Sequence, residues 1–380
     1  MMMNKNSGYR LRTLESPDRT LFLSVVFNGD GKESDVIEAC YGDIGQVLTS
    51  YDMRIVQERI FGRLSGLRDI VGARDSGLTP ANSAVSPPAI IEGAPVHDGP
   101  CAGILIRAVP KTAACPIEVG GDVFGASWRW GESQWVVLPK MTMPPRSEIS
   151  DPALETEQML STCEQVLATV GFTFQDVFRT WFYLDDILSW YDRFNVGRTG
   201  KYQSWEMTPT KERPALKLPA STGIGVRNGD NGAGLLGLLA MRGATPIEQM
   251  SNPGQKDAFE YGSSFSRGAL LSFDRGNILE LSGTASIDET GATAYLGDPG
   301  RQIECTLDKI ATLIGTRDFA LTDLAGGAAF LKDRADYPVL VDALERRGLL
   351  DLPLIPMQAE VCRDELLFEI DGEFVQFSRV

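Results

Sequence analysis

A helix followed by an apolar strand occurs three times along this chain, and repetition on that scale constrains the fold before any single motif does. Two copies superimpose at a constant shift. Residues 176–186 lie on 323–333, with Asp176 on Asp323, Tyr183 on Phe330 and Asp186 on Asp333. Helical periodicity precedes each, at 157–170 and 302–314, and a weaker first copy runs from a helix at 33–48 into a strand at 53–61. Each copy then reaches a proline (Pro88, Pro219, Pro353) and a final apolar strand at 103–109, 234–241 and 366–375. Further strands are expected at 19–27, 124–130, 135–141, 264–273 and 277–286. Each unit therefore predicts an α+β layer, with helices on one face of a sheet. Asp151 before Pro152 is a helix start signal for the second unit. The polar stretches 73–88 and 243–257 predict a loop and a linker, which places unit boundaries near 115 and 255. The expected domains are 1–115, 116–255 and 256–380.

At 380 residues the chain suits two or three domains of about 100–150 residues. No apolar run approaches the about 20 residues needed to cross a bilayer, so a soluble cytoplasmic protein without membrane contact is expected. The formal charge of −15 speaks against nucleic acid, whose phosphates demand dense Lys and Arg. Six cysteines (Cys40, Cys101, Cys115, Cys163, Cys305, Cys362) form no CxxC pair and suggest reduced, mostly buried thiols. The one histidine, His97, sits in a Gly/Pro-rich loop and leaves no set of ligands for zinc. Neither metal nor cofactor is expected, and acid or base chemistry falls to carboxylates.

The repeat, the Pro-Ala start of a late strand and the terminal Glu369-Ile370 run resemble the RidA/YjgF family, whose small α+β, chorismate mutase-like subunits form homotrimers with clefts between subunits. The resemblance spans most of 19–377 and implies three tandem RidA-like units forming a pseudo-trimer, monomeric or further dimerised. Four signatures carry a narrower resemblance, to the chorismatases: Ser264-Phe-Ser-Arg-Gly268, Pro219-Ala-Ser-Thr-Gly-Ile-Gly225, Tyr191-Asp-Arg-Phe-Asn195 and the run 360–372. That family hydrolyses the enolpyruvyl ether of chorismate to pyruvate and a dihydroxycyclohexadiene or hydroxybenzoate product. The resemblance implies Glu369 as proton donor, and Gly268 with Cys362 implies the 3-hydroxybenzoate-forming type. RidA imine deaminases carry an Arg shortly after the late proline. This chain has Ile90, Ser221 and Ile355 there.

Strand alternation puts Glu369 on one face with Leu367 and Asp371, where apolar neighbours would raise its pKa and keep a proton available. The same Glu beside Asp371 and Glu373 is also the pattern of a solvated strand end. A small anionic metabolite such as chorismate needs guanidinium forks and hydroxyls, for which the candidates are Arg267, Arg363, Arg213, Ser221, Thr222 and Tyr202. Cys362, without a histidine partner, is expected to line the ring pocket rather than attack, and Gly268 to leave space for the ring. Two other functions stay open: an imine or enamine hydrolase on the same scaffold, and a metabolite-binding protein without turnover.

Overall fold

A computed structural model describes residues 2–6, 8–29, 33–63, 66–79, 82–211, 217–227, 232–253 and 255–378. Within them lie three mixed sheets and six helices: α1 (Glu33–Tyr51), α2 (Leu67–Gly77), α3 (Pro152–Thr169), α4 (Ile187–Ser204), α5 (Pro299–Gly315) and α6 (Tyr337–Arg346). The N-terminal sheet runs, in spatial order, Met2–Asn6, Tyr9–Glu15, Leu21–Phe27, Cys101–Pro110, Met53–Gly62, Ala89–Glu92. The central sheet runs Ala220–Gly225, Val177–Leu184, Gly234–Arg242, Ser133–Thr142, Asp122–Trp130, Cys115–Val119. The C-terminal sheet runs Ile247–Met250, Gly268–Phe273, Gly276–Ala285, Phe368–Phe377, Leu324–Leu331, Leu354–Gln358, and ends on Ala94–Pro95. In each sheet the strand that follows the first helix pairs parallel with the strand after the late proline.

The central strands of every sheet are buried on both faces, which explains why they are almost continuously apolar instead of alternating. One face lies under its own helix pair. Ile44 of α1, for example, shares a buried core with Ile104 of the first sheet, Leu160 of α3 with Phe182 of the second, and Ile310 of α5 with Phe368 of the third. The opposite faces meet in one shared core that joins Phe61, Trp181 and Ile355 from the three sheets. Helix entry is specified locally. The Asp151 side chain accepts from Ala153 N–H at 3.0 Å and that of Asp298 accepts from Arg301 N–H at 2.9 Å, each followed by a proline in the first turn.

The sheets are joined in a cycle at their edges. The end of Ala220–Gly225 bridges to Glu360, the end of Leu354–Gln358 pairs with Ala94–Pro95, and Glu92 bridges to Arg227.

Three sequence expectations need correction. Residues 73–77, expected to be loop, form the last turns of α2, because Ile70 anchors the helix in the core despite its polar remainder. Within the expected linker 243–257, Ile247–Met250 pairs with Gly268–Phe273, so the break between sheets falls at 243–246 and not near 255. A four-residue strand flanked by Pro246 and Pro253 is too short for periodicity to reveal. The strand expected from 264 begins at Gly268, and 264–267 are irregular and bend toward the second sheet.

Candidate active site

The cycle leaves a cavity where the central and C-terminal sheets meet, with about 490 Å³ of space including its mouth. Two seams build its floor. Ser266 N–H donates to Pro219 O at 3.0 Å, while Gly225 and Glu360 exchange backbone hydrogen bonds at 2.7 and 3.0 Å. Ser282 Oγ fastens the walls further, accepting from Ser221 N–H at 2.9 Å and donating to Ser266 O at 2.6 Å.

Glu369, second residue of the last strand, opens into this cavity opposite Ser221. It is 4% exposed. Its strand pairs on one side with Phe330 and on the other with Ala285, next to a register shift between Leu281 and Thr284. The irregularity presents Gly283 beneath the acid. A Cβ there would stand 1.9 Å from Glu369 Oε1, so only glycine accommodates the carboxyl in this position. No hydrogen bond from a described side chain to Glu369 is present. Burial, and then the neighbouring Asp371, push its pKa up to about 8, against the pull of Arg179 and Arg267. At neutral pH this carboxyl keeps its proton.

Three arginines line the same cavity. Arg267 is 2% exposed, donates to the Lys256 carbonyl and lies over the Phe265 ring at 5.4 Å. Arg363 donates to Gly291 O at 2.8 Å, on the rim. Arg198, on α4, is buried among Phe182, Phe194 and Phe265 and donates to Asn195 Oδ1 at 2.5 Å. Among the described residues Arg198 forms no ion pair, and among those lining the cavity Glu369 is the one acid. With Glu369 protonated the walls carry three positive charges and no negative one, a field that suits a compact dianion. Ser221, Ser263 and Tyr191 add hydroxyls, and Leu366, Ile287 and Ala285 add apolar surface.

Of the residues singled out from sequence, Glu369, Arg267, Arg363, Ser221 and Cys362 come together at this cavity. Burial, followed by Glu369, drives the Cys362 thiol up to about 12, so it remains a protonated, weakly polar piece of wall. Thr222, next to Ser221 on a strand instead of the expected loop, points to the other face. There it donates to Asp371 Oδ2 at 2.9 Å. Tyr202 is also elsewhere, near the end of α4 and fully buried with Phe174 and Trp205, because its position on the helix faces the sheet. Tyr191, eleven residues earlier on α4, presents the phenol to the cavity beside Gly223. Gly268 begins a strand where a Cβ would meet Glu280 O at 3.2 Å, which places it against a neighbouring backbone and away from the lining. Arg213 lies outside the described residues. Among the described residues no group of three or more His, Cys, Asp or Glu is arranged to hold a metal ion. No described helix is long and apolar enough to cross a membrane.

Arg198 and Gly283 were missed by the sequence reading. Arg198 lies seven residues beyond Tyr191 on one helix, so helical spacing could have found it; Gly283 is visible only once the strand pairing is known.

No family model matches the chain. Two curated proteins are similar to it. A 3-hydroxybenzoate synthase from Streptomyces hygroscopicus is 27% identical over 228 residues, covering 53% of this chain and 64% of that protein. A chorismatase from Streptomyces rapamycinicus is 27% identical over 233 residues, covering 54% of this chain and 66% of that protein. The matched part thus spans slightly under two thirds of each relative. In solved structures, a chorismatase crystal structure aligns with 85% of this chain and 93% of its own, at a TM-score of 0.64 and 22% identity. The chain is chorismatase-like. Its mixed α+β fold of three sheets is that of the chorismatase structure, and a RidA from the Antarctic bacterium Psychrobacter is a further neighbour over 34% of the chain, at a TM-score of 0.28.

Proposed function

We propose that this protein hydrolyses the enolpyruvyl ether of chorismate, with Glu369 as general acid. The observation that carries the reading is a carboxyl with a pKa near 8 facing three guanidiniums across one cavity. An enol ether is stable until its terminal methylene carbon takes a proton. Glu369 supplies that proton, forming the C–H bond and leaving an oxocarbenium ion at the ether carbon. Water adds to that carbon and returns its proton to the Glu369 carboxylate. The hemiketal then loses the ring oxygen as an alcohol and releases pyruvate. Arg198, Arg267 and Arg363 hold the two substrate carboxylates, and the Ser221 and Tyr191 hydroxyls orient the ring. The relatives' names, 3-hydroxybenzoate synthase and chorismatase, support the substrate class. The alcohol so released is a dihydroxycyclohexadiene carboxylate, and loss of one water from it gives aromatic 3-hydroxybenzoate, a product with which Cys362 in the wall is consistent.

We further read the molecule as a pseudo-trimer of three RidA-like units, with breaks near 115 and 243–246. The cyclic edge pairing supports this, because each unit's parallel edge strand meets the segment that follows the equivalent strand of another unit. Register makes Glu369, Leu235 and Gly103 equivalent: they pair with Phe330, Tyr183 and Phe61, at matching places in the three parallel-paired strands. Only one of the three positions carries an acid. The cleft at Gly103 is also filled, since a Cβ there would stand 2.5 Å from the Ile355 side chain. A single live site follows, between the second and third units.

The test is to add chorismate to the purified chain and follow pyruvate by a coupled assay, together with the aromatic product. Glu369→Gln should lower turnover by about 10²-fold or more. Unchanged pyruvate release in that variant removes the acid from the scheme; chorismate binding without any pyruvate removes the reaction.

A further inference from the structure

Behind the cavity, where the three helix-free faces meet, lies a second set of charges. Arg107 lies 2.5 Å from Glu280 and 3.1 Å from Glu373, and Arg59 pairs with Glu373. Arg179 reaches Asp371 at 3.1 Å and lies 3.8 Å from Glu280. All six side chains are buried, and their formal charges cancel, three against three. One member adjoins the cavity. Asp371 is two residues beyond Glu369 on the same strand, hence on the same face.

The two carboxyls have opposite surroundings. Asp371 Oδ2 accepts from Arg179 at 3.1 Å and from Thr222 Oγ1 at 2.9 Å, and lies 4.0 Å from Arg59. Glu369 accepts from no described side chain. Two neighbouring carboxyls in a dry interior do not both ionise cheaply, and Glu369 is the one that no described side chain donates to.

We propose that Asp371 is a positioning residue for the reaction: a carboxylate fixed beside Glu369 by its contacts to Arg179, Arg59 and Thr222, which keeps the proton on Glu369. The inference rests on reading Glu369 as the acid. The other groups facing this pair do not supply a negative charge. Arg267 and Arg179 are positive and oppose the effect. Burial raises the Tyr183 phenol far above its ordinary value and the Cys362 thiol to about 12, so both are neutral. Arg363 and Arg198 line the cavity and carry positive charge. Among the described residues Asp371 is the one acid whose charge opposes ionisation of Glu369.

The experiment is isotope-edited infrared spectroscopy of side-chain carboxyls in the ligand-free full chain, which needs no turnover. With labelled glutamate, the band abolished by Glu369→Gln reports that residue's titration. In Asp371→Asn its midpoint should fall by about one pH unit or more. In Thr222→Val, which leaves the charge in place, the midpoint should not fall. A folded Asp371→Asn variant with an unmoved midpoint overturns the proposal. So does a wild-type chain with labelled aspartate in which an aspartate carboxyl titrates in step with Glu369 and ceases to do so in Glu369→Gln, a measurement that stands even if Asp371→Asn fails to fold. If the midpoint moves as stated while the wild type releases no pyruvate from chorismate, the charge coupling holds and the chorismate reading alone falls.

Discussion

At Glu369 a single side chain links burial to pH. Its folded pKa of about 8 lies above the ordinary glutamate value of 4.5, so the native state binds a proton that the unfolded chain releases in between. The stability associated with this proton is full below the unfolded value and is lost as pH rises through about 8. Thermal unfolding at about pH 6 and 9 should therefore show a drop in Tm that is smaller in Glu369→Gln. For the proposed reaction the same group sets the alkaline limb: pyruvate release should fall about tenfold per unit above about pH 8. Gly283 sets the position of the acid. In Gly283→Ala the new methyl would occupy the space of Oε1, and displacing the acid by an ångström should cost about 10²-fold in turnover. A steady-state assay beside a circular dichroism spectrum separates that loss from unfolding.

Among the elements, α3 and α4 place the second wall of the cavity, because α4 carries both Tyr191 and Arg198. They approach closely at Gly197, where a Cβ would stand 2.2 Å from Ala153 O. Gly197→Ala should push the helices apart and destabilise the fold by about 1–3 kcal/mol, measured by urea unfolding. Weaker binding of chorismate should accompany it, since Arg198 is on the next residue. Helix entry was legible because Asp151-Pro152 states its own conformation. Short edge strands such as Ile247–Met250 were not, since four residues carry no usable period and their pairing partner is distant in sequence.

For the whole molecule, the central charges matter more than their number suggests. Arg59, Arg107, Arg179 and Glu280 are scattered along the sequence and form no stripe of charge there. The fold brings them together from three sheets. A buried, mutually paired set of charges adds little stability over an apolar core, but removing one member leaves uncompensated charge. Arg107→Met should strand Glu280 and cost about 3–5 kcal/mol in denaturant unfolding.

Sequence by itself determined the local elements and their repetition, since hydrophobic period, proline position and capping residues act within a few residues of one another. It also nominated Glu369, whose apolar neighbours on the strand already imply a raised pKa. Only the tertiary structure decided which arginines share its cavity, that Thr222 and Tyr202 turn away from it, and that Asp371 is buried beside it. Arg267 and Thr222 lie about a hundred positions or more from the strand that carries Glu369 and Asp371, so strand register and packing between sheets, which no local pattern encodes, decide where they point.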